Sequence, residues 1–259
     1  MALSIAGSDP SGGAGLQADL KTFHRMGVYG EAIVTLITVQ NTRGLRRVEV
    51  LAAELVAEQI HAVISDIPPH AAKTGALGSL AVMEAVAEAA AGFAFPLVVD
   101  PVMLSKNGAA LMDGDARRAF AEKLLPLAFL LTPNLDEASE LTGIAARDPE
   151  SMTRAARKLL EMGAANVLVK GGHLEGDATD AIDVLVTRAG DRRVFRAGRI
   201  ATRHTHGTGC TYSAAITAEL AKGKQLTEAI QIAKAFITEA IRTNPGLGQS
   251  GPVNHFAGK

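Results

Sequence analysis

Short apolar runs alternate with longer helix-like segments over most of the chain, and this alternation constrains the fold more than any other feature. The runs are rich in β-branched residues and leucine, which is typical of strands buried on both faces of a parallel sheet. The segments between them place apolar residues on one helical face, as Leu16, Leu20 and Phe23 do. The alternation predicts an α/β protein with a doubly wound, mostly parallel central sheet and helices on both faces. The predicted strands are Leu3–Ala6, Ile33–Val39, Ala71–Thr74, Leu97–Val102, Phe129–Thr132 and Val167–Lys170.

The rest of the pattern predicts further helices and one hairpin. Two late runs, Ile182–Arg188 and Arg192–Ala197, flank Ala189-Gly190-Asp191 and are typical of an antiparallel hairpin. No linker, repeat or low-complexity segment interrupts the 259 residues, so we expect one domain over residues 1–259. The predicted helices after the first are one with Val56, Ile60, Val63 and Ile64 on one face, followed by Ser79–Ala91, Asp115–Leu125, Pro149–Met162 and Leu226–Arg242.

Composition excludes several classes of function. With 26 basic and 27 acidic residues the formal net charge is -1, which argues against nucleic acid as the main partner. A single cysteine cannot form an internal disulfide, so nothing points to an oxidising compartment. No apolar run approaches the ~20 residues that span a bilayer, and no basic leader precedes Ala2–Ala6. We therefore expect a cytoplasmic protein.

A glycine turn precedes a predicted helix that runs to Ala221. It reads His206-Gly207-Thr208-Gly209-Cys210, and its two glycines let backbone N–H groups converge at the positive end of the helix dipole. This arrangement is typical of an anion site, such as one for a transferring phosphoryl group. The dipole is expected to lower the pKa of the Cys210 thiol, which could then accept a proton. A flexible turn with a small buried cysteine remains an equal alternative.

A second glycine-rich loop, Ala6–Gly15, follows the first predicted strand. Its glycines lack the spacing of a dinucleotide fingerprint, but they allow a ligand to approach the backbone closely. Asp19 lies on the helix after this loop, either as a solvated residue or as a ligand contact.

Polar residues stand at the ends of other predicted strands, where ligands bind in α/β sheets. The amide of Gln40 suits recognition of a heterocycle edge, whereas Asn41 suits a turn. A carboxylate at the end of a buried strand, Asp100, needs a cation and makes Mg²⁺ plausible. Asn134 and Glu137 follow the next strand and fit either a polar site or a helix-capping box. Lys170, with glycines after it, is typical of phosphate binding.

The histidines near these loops show no metal-ligand spacing. His173, His204 and His206 are therefore interpreted as residues that support the backbone.

Seven stretches of the chain, in order along nearly its whole length, are similar to one family. The chain resembles the hydroxymethylpyrimidine/phosphomethylpyrimidine kinases of thiamine biosynthesis, within the ribokinase-like superfamily. The matching stretches are Ile5–Leu20 (IAGSDPSGGAGLQADL), Val39–Gly44 (VQNTRG), Ala72–Leu77 (AKTGAL), Val99–Gly108 (VDPVMLSKNG), Leu131–Glu137, Val169–Leu174 (VKGGHL) and Thr205–Cys210 (THGTGC).

The resemblance implies ATP-dependent phosphorylation of 4-amino-5-hydroxymethyl-2-methylpyrimidine and then of its monophosphate, with ATP and Mg²⁺ as cofactors, in a homodimer. It implies that Cys210 accepts the proton of the substrate hydroxyl, in place of the aspartate of most ribokinase-like enzymes. It further implies a phosphoryl cradle at Gly207, Thr208 and Gly209; pyrimidine contacts at Gly7, Asp19, Gln40 and Val102; Mg²⁺ ligands at Asp100 and Glu137; and nucleotide contacts at Lys170, Asn134 and Lys234.

One position departs from the family pattern. Ala76 stands where members of the family often carry a methionine that contacts the pyrimidine, and the smaller side chain leaves room for a larger ring. Pyridoxal kinase is therefore the first alternative. A cysteine hydrolase with Cys210 as nucleophile and a nearby histidine as base is a second, disfavoured because the sequence shows no acid to orient that histidine. A non-catalytic nucleotide-binding regulator is a third. Met103–Gly114, with Lys106-Asn107-Gly108, is a candidate flap over ATP.

Overall fold

The computed structural model describes residues 1–103, 114–172 and 179–258. Nine strands in these residues form one sheet in the order β3-β2-β1-β4-β5-β6-β7-β8-β9. The strands are β1 (Ala2–Ser8), β2 (Gly30–Asn41), β3 (Gly44–Val50), β4 (Ala71–Thr74), β5 (Leu97–Val99), β6 (Leu130–Leu131), β7 (Asn166–Gly171), β8 (Asp180–Thr187) and β9 (Arg192–Gly198).

Helices connect and cover these strands. Those of the described residues are α1 (Gly15–Arg25), α2 (Ala53–Asp66), α3 (Leu80–Ala90), α4 (Gly114–Ala119), α5 (Leu135–Thr142), α6 (Pro149–Glu161), α7 (Thr208–Ala221) and α8 (Leu226–Arg242). A π-helical turn, Phe120–Leu124, and a 3₁₀ turn, Leu125–Leu127, continue from α4.

The predicted fold class is confirmed. Strands β2, β1, β4, β5, β6 and β7 are mutually parallel, and β3, β8 and β9 add antiparallel pairs at the two edges. One apolar core contains residues of α2, α3 and α6, and a second contains residues of α7 and α8. Helix α1 packs beside α7. Because β1 pairs with β2 on one side and β4 on the other, the chain changes direction there, where α/β proteins bind ligands.

The structure differs from the predicted elements in three places. Strand β3 was missed, because three of the seven residues in its sequence GLRRVEV are charged and its arginines lie exposed at the sheet edge. The strand predicted to reach Val102 ends at Val99, just before Asp100-Pro101. The helix predicted over Asp115–Leu125 is α-helical only to Ala119.

The hairpin of β8 and β9 and the bounds of α8 match the prediction. His173 and residues 104–113 of the predicted flap lie outside the described residues. No helix in the described part of the chain is both long and apolar enough to cross a bilayer.

Candidate active site

A cavity of about 670 Å³ opens where the predicted site residues meet. It is lined by the loop after β1, the ends of β4 to β7 and the glycine turn before α7. All but one of the residues predicted for the site line this cavity. They are Gly7, Gln40, Ala76, Asp100, Val102, Asn134, Glu137, Lys170, Gly207, Thr208, Gly209, Cys210 and Lys234.

Of the two glycines in the turn, Gly207 is the one whose backbone requires glycine. Gly207 has a φ of +77°, and a Cβ there would lie 1.7 Å from the carbonyl oxygen of Gly13. At Gly209 a Cβ would instead point toward the Lys170 Nζ, at 3.4 Å, and Asp100 Oδ2, at 3.7 Å. No side chain caps the N-terminus of α7. The N–H of Thr208 donates to the backbone oxygen of Thr205, which leaves those of Gly209 and Cys210 for an anion beside Lys170.

A side-chain hydrogen bond joins the loop after β1 to this turn. Nε2 of His206 donates to Oδ2 of Asp9 at 2.8 Å, and Asp9 also accepts from the backbone of Ser11, Gly13 and Ala14. Burial opposes the charge on Asp9, but the hydrogen bonds from His206 and Ser11 outweigh it and hold its pKa well below the usual range. The expectation that His206 only supports the backbone is therefore wrong. His204 does so, because its Nδ1 accepts from Gly251 N at 3.0 Å.

The environment of Cys210 corrects a second expectation. Burial raises the pKa of the Cys210 thiol to about 11, although the ammonium of Lys73 acts in the opposite direction. A helix dipole contributes about 0.3–1 kcal/mol at most exposed sites, less than one pKa unit, and cannot offset burial of this extent. The predicted lowering of the thiol pKa is therefore wrong.

Asp100 and Lys170 form a nearly buried ion pair at the strand ends. Lys170 Nζ lies 2.8 Å from Asp100 Oδ1, and the Asp100 carboxylate also accepts from Thr132 Oγ1 at 3.1 Å and Ser213 Oγ at 3.3 Å. Burial disfavours the charged carboxylate, yet Lys170 lowers the pKa of Asp100. The pair places a cation and a carboxylate beside the glycine turn.

Glu137 combines the two roles that the sequence left open. Asn134 Oδ1 accepts from Glu137 N at 2.9 Å, and Glu137 Oε2 accepts from Asn134 N at 2.8 Å. This capping box at the start of α5 is confirmed, and both residues also line the cavity. Burial raises the pKa of Glu137 to about 7; Lys170 opposes this rise, and Asp100 adds to it.

The side chains that line the cavity can be compared with those that bind Mg²⁺ in proteins. No group of three or more histidine, cysteine or carboxylate side chains in the described ranges is arranged to hold a metal. Two buried carboxylates, Asp100 and Glu137, face one cation in the cavity. Mg²⁺ is commonly held by one or two carboxylates with water and substrate phosphates, so these residues fit a shared ion rather than a protein cage.

Asp19 is the predicted residue that the cavity does not include. Its side chain is fully buried, and both carboxylate oxygens lie 2.8 Å from Lys73 Nζ. Ser4 Oγ donates to Asp19 at 2.6 Å. The expected contact of Asp19 with a ligand is therefore corrected: Lys73 lines the cavity, and Asp19 lies behind it.

Lys234 lines the cavity from α8 and is also buried in an ion pair. Its Nζ lies 2.7 Å from Asp183 Oδ2 and 6.0 Å from the centre of the Tyr212 ring. Sequence reasoning missed Lys73, Asp183 and the role of Asp9. The available signal was a charged side chain inside an otherwise apolar strand, as Lys73 is in β4 and Asp183 in β8.

Small residues shape the other end of the cavity. A Cβ at Gly7 would lie 2.5 Å from Leu36 Cδ1, so this position admits only glycine without a shift. The backbone oxygen of Ala76 accepts from Thr35 Oγ1 at 2.6 Å, which fixes the loop after β4. Gln40 lies within β2 rather than after it.

Comparisons with known proteins agree on one family. The family model for phosphomethylpyrimidine kinase matches residues 9–254. A hydroxymethylpyrimidine/phosphomethylpyrimidine kinase of Rhizobium meliloti is 50% identical over 265 residues, covering 99% of this chain and 97% of that protein. Its counterpart in Staphylococcus aureus strain MSSA476 is 47% identical over 260 residues, covering 99% and 94%.

Solved structures of two kinds of kinase share this fold. A phosphomethylpyrimidine kinase from Clostridium difficile has a TM-score of 0.82 at 44% identity, covering 93% of this chain and 98% of that one. An ADP complex of Bacillus subtilis pyridoxal kinase has a TM-score of 0.90 at 39% identity, covering 99% and 97%. On sequence and fold together, this chain belongs to the phosphomethylpyrimidine kinase family.

Proposed function

We propose that this protein uses ATP to phosphorylate 4-amino-5-hydroxymethyl-2-methylpyrimidine and then its monophosphate, giving the diphosphate used for thiamine. The observation that carries the proposal is the convergence of the glycine turn, Cys210 and the Lys170–Asp100 pair on one cavity. Family membership supports the same substrates, because relatives that match this chain over nearly its whole length bear the names of both kinase activities.

Phosphoryl transfer needs positioning and charge neutralisation more than covalent chemistry. The first N–H groups of α7 and the ammonium of Lys170 hold the transferring group beside Cys210. Mg²⁺ shared by Asp100, Glu137 and the nucleotide would neutralise charge on the phosphates. Loss of one comparable preorganised donor typically costs about 10²–10³ in rate.

The acceptor and the nucleotide occupy opposite sides of the turn in this proposal. Gly7, Gln40, Ala76 and Val102 surround the pyrimidine, with the Gln40 amide at its amino edge. Asn134 and Lys234 line the nucleotide side together with Lys170. Because Lys234 is bound to Asp183, it adds a cation of fixed position rather than a mobile one.

A two-substrate assay with the purified protein tests the proposal. With ATP and the hydroxymethylpyrimidine, we expect ADP release and the monophosphate followed by the diphosphate. Chelation of divalent cations should abolish both steps, and added Mg²⁺ should restore them. A Lys170→Met variant should lose at least about 10² in kcat for both steps. The proposal is wrong if neither pyrimidine is phosphorylated while the protein is folded.

Pyridoxal kinase is the second candidate, supported by the small Ala76 side chain in the cavity wall. The structural neighbour from Bacillus subtilis bears that name at 39% identity. Comparison of kcat/KM for pyridoxal and the hydroxymethylpyrimidine decides between the two. In Ala76→Met the longer side chain would fill space, so any pyridoxal turnover should fall about 10-fold or more relative to pyrimidine turnover.

The structure changes the argument against the cysteine-hydrolase alternative. Asp9 does orient His206, contrary to the expectation that no such acid exists. However, the charges that act most strongly on the Cys210 sulfur come from Lys73, Asp19 and Asp100 rather than from His206. Incubation with a thiol-reactive ester and mass spectrometry would detect a covalent adduct; we expect none.

A cytoplasmic homodimer completes the proposal. Resemblance to the family supports the dimer, and the exposed side chains of Ile37 and Val39, two residues apart on β2, provide an apolar surface on one face. Light scattering of the purified protein should give twice the mass of the 26.9 kDa chain.

A further inference from the structure

A fully buried ion pair, Lys73–Asp19, lies beneath the cavity that Cys210 also lines. In the sheet, Ser4 of β1 stands opposite Lys73 of β4, and both side chains reach Asp19 on α1. The Lys73 and Asp19 side chains have no exposed surface. Lys73 nevertheless lines the same cavity as Cys210, whereas Asp19 does not. The positive end of the pair therefore lies on the side of the active site.

Stability alone gives little reason for charges at this place. Burying an ammonium and a carboxylate costs several kcal/mol per ion, and well-packed apolar residues of similar volume often serve equally well or better. The surrounding strand β4 is otherwise small and buried, and α7 packs directly on it. The ammonium of Lys73 acts on the Cys210 thiol, which lies in the first turn of α7.

We propose that Lys73, held in place by Asp19, is a positioning residue that stabilises the Cys210 thiolate as proton acceptor in the hydroxymethyl step. The inference rests on the proposed function. In that step the acceptor O–H proton moves to Sγ, the acceptor oxygen bonds to the γ-phosphorus, and the bond to the ADP oxygen breaks. The sulfur begins as thiolate and ends as thiol, so a nearby cation favours the form that can accept the proton.

The charges facing the sulfur are mixed in sign. The Lys73 ammonium favours the thiolate, whereas Asp19 and Asp100 disfavour it, and the amide of Gly15 donates to the sulfur. Asp19 also keeps Lys73 charged: burial opposes the ammonium, but the Asp19 carboxylate outweighs burial and raises the pKa of Lys73. Lys73 is the cation that acts most strongly against the two carboxylates at Cys210, and Lys170 interacts with the same sulfur.

Alkylation of the thiol measures this effect without any substrate. Cys210 is the one cysteine of the 259-residue chain, so the iodoacetamide reaction reports on it alone. Below the thiol pKa the rate is proportional to the thiolate fraction. At pH 9 we expect Lys73→Met to lower the alkylation rate at least 10-fold. Should Lys73→Met fail to fold, the double variant Lys73→Met/Asp19→Asn removes both charges and should still react more slowly than wild type, by a smaller factor.

The second buried pair in the cavity wall supplies a matched control. Lys234→Met breaks the pair with Asp183 in the same way, but Lys234 is not among the groups acting on the sulfur. Its alkylation rate should stay within about 2-fold of wild type. An unchanged rate in folded Lys73→Met, or in the double variant if it replaces Lys73→Met, would overturn the proposal. So would an equal fall in Lys73→Met and Lys234→Met.

The kinase reaction gives an independent readout. Lys73→Met should lower kcat for the hydroxymethyl step at least 10-fold more than kcat for the monophosphate step, because only the first acceptor must lose a proton. A merely structural role would reduce both steps alike. If the protein phosphorylates no pyrimidine, the proposed function fails, while the alkylation rates still decide whether Lys73 stabilises the thiolate.

Discussion

The Cys210 thiol makes the two phosphorylations differ in their dependence on pH. With a pKa of about 11, the thiolate fraction at pH 8 is about 10⁻³ and rises tenfold with each pH unit. If the thiolate accepts the hydroxyl proton, kcat/KM for the hydroxymethyl step should rise about tenfold per unit between pH 7 and pH 9. The monophosphate has a second pKa of about 6, so it is already ionised there and needs no base.

Replacement of Cys210 by alanine tests this reasoning. A positioned base typically contributes about 10²–10⁴ in rate, so Cys210→Ala should lower kcat for the hydroxymethyl step by that factor. The monophosphate step, assayed with the monophosphate supplied directly, should fall less than about 10-fold. Both products can be separated by anion exchange and counted with labelled ATP. Equal losses in the two steps would refute a proton-accepting role and favour a positional one.

Three further perturbations test the geometry around the turn. Gly207→Ala should abolish activity and destabilise the fold, because a φ of +77° is combined there with a backbone clash. The control Gly223→Ala has a φ of +81° but open space around it, so its free energy of unfolding in chemical denaturation should fall by only about 1–2 kcal/mol and its activity should stay intact. Asp9→Asn should cost about 1–3 kcal/mol at pH 7 by weakening the bond from His206. Since the pKa of Asp9 is lowered on folding, this stabilisation exists above its ordinary value of 3.8 and is lost as pH falls below it, so variant and wild type should converge in acid denaturation. Asn134→Ala should lose about 1 kcal/mol with the cap of α5 and raise the KM for ATP; an unchanged KM would remove Asn134 from the nucleotide site.

The fold was predictable where local pattern and burial agree. The bounds of α8 follow from a 17-residue amphipathic repeat, and the β8–β9 hairpin from Gly190 between two β-rich runs. Strand β3 was not predictable in this way, because it pairs only with β2 and exposes its arginines. Its register depends on the neighbouring strand rather than on its own sequence.

The site was predictable in its membership but not in its electrostatics. Strand-end position was enough to collect Asp100, Asn134 and Lys170 on one edge of the sheet. The pKa of Cys210 depends on burial and on charges from three separate elements, among them Lys73 on β4. The residues that carry these charges lie far from Cys210 in the sequence. The helix dipole is the one effect on the thiol pKa that the sequence around Cys210 reveals, and it is smaller than the effect of burial.

The bond between Asp9 and His206 closes a loop of 197 residues, and this has a consequence for synthesis on the ribosome. At about 5–20 residues per second, the aspartate is made about 10–40 s before its histidine. During that time the early glycine loop lacks its hydrogen bond to the later turn, while β1, β2 and β4 can already pair. The proposed phosphate site is therefore incomplete until the glycine turn has been made, and a nascent chain that stops short of the turn holds only part of that site.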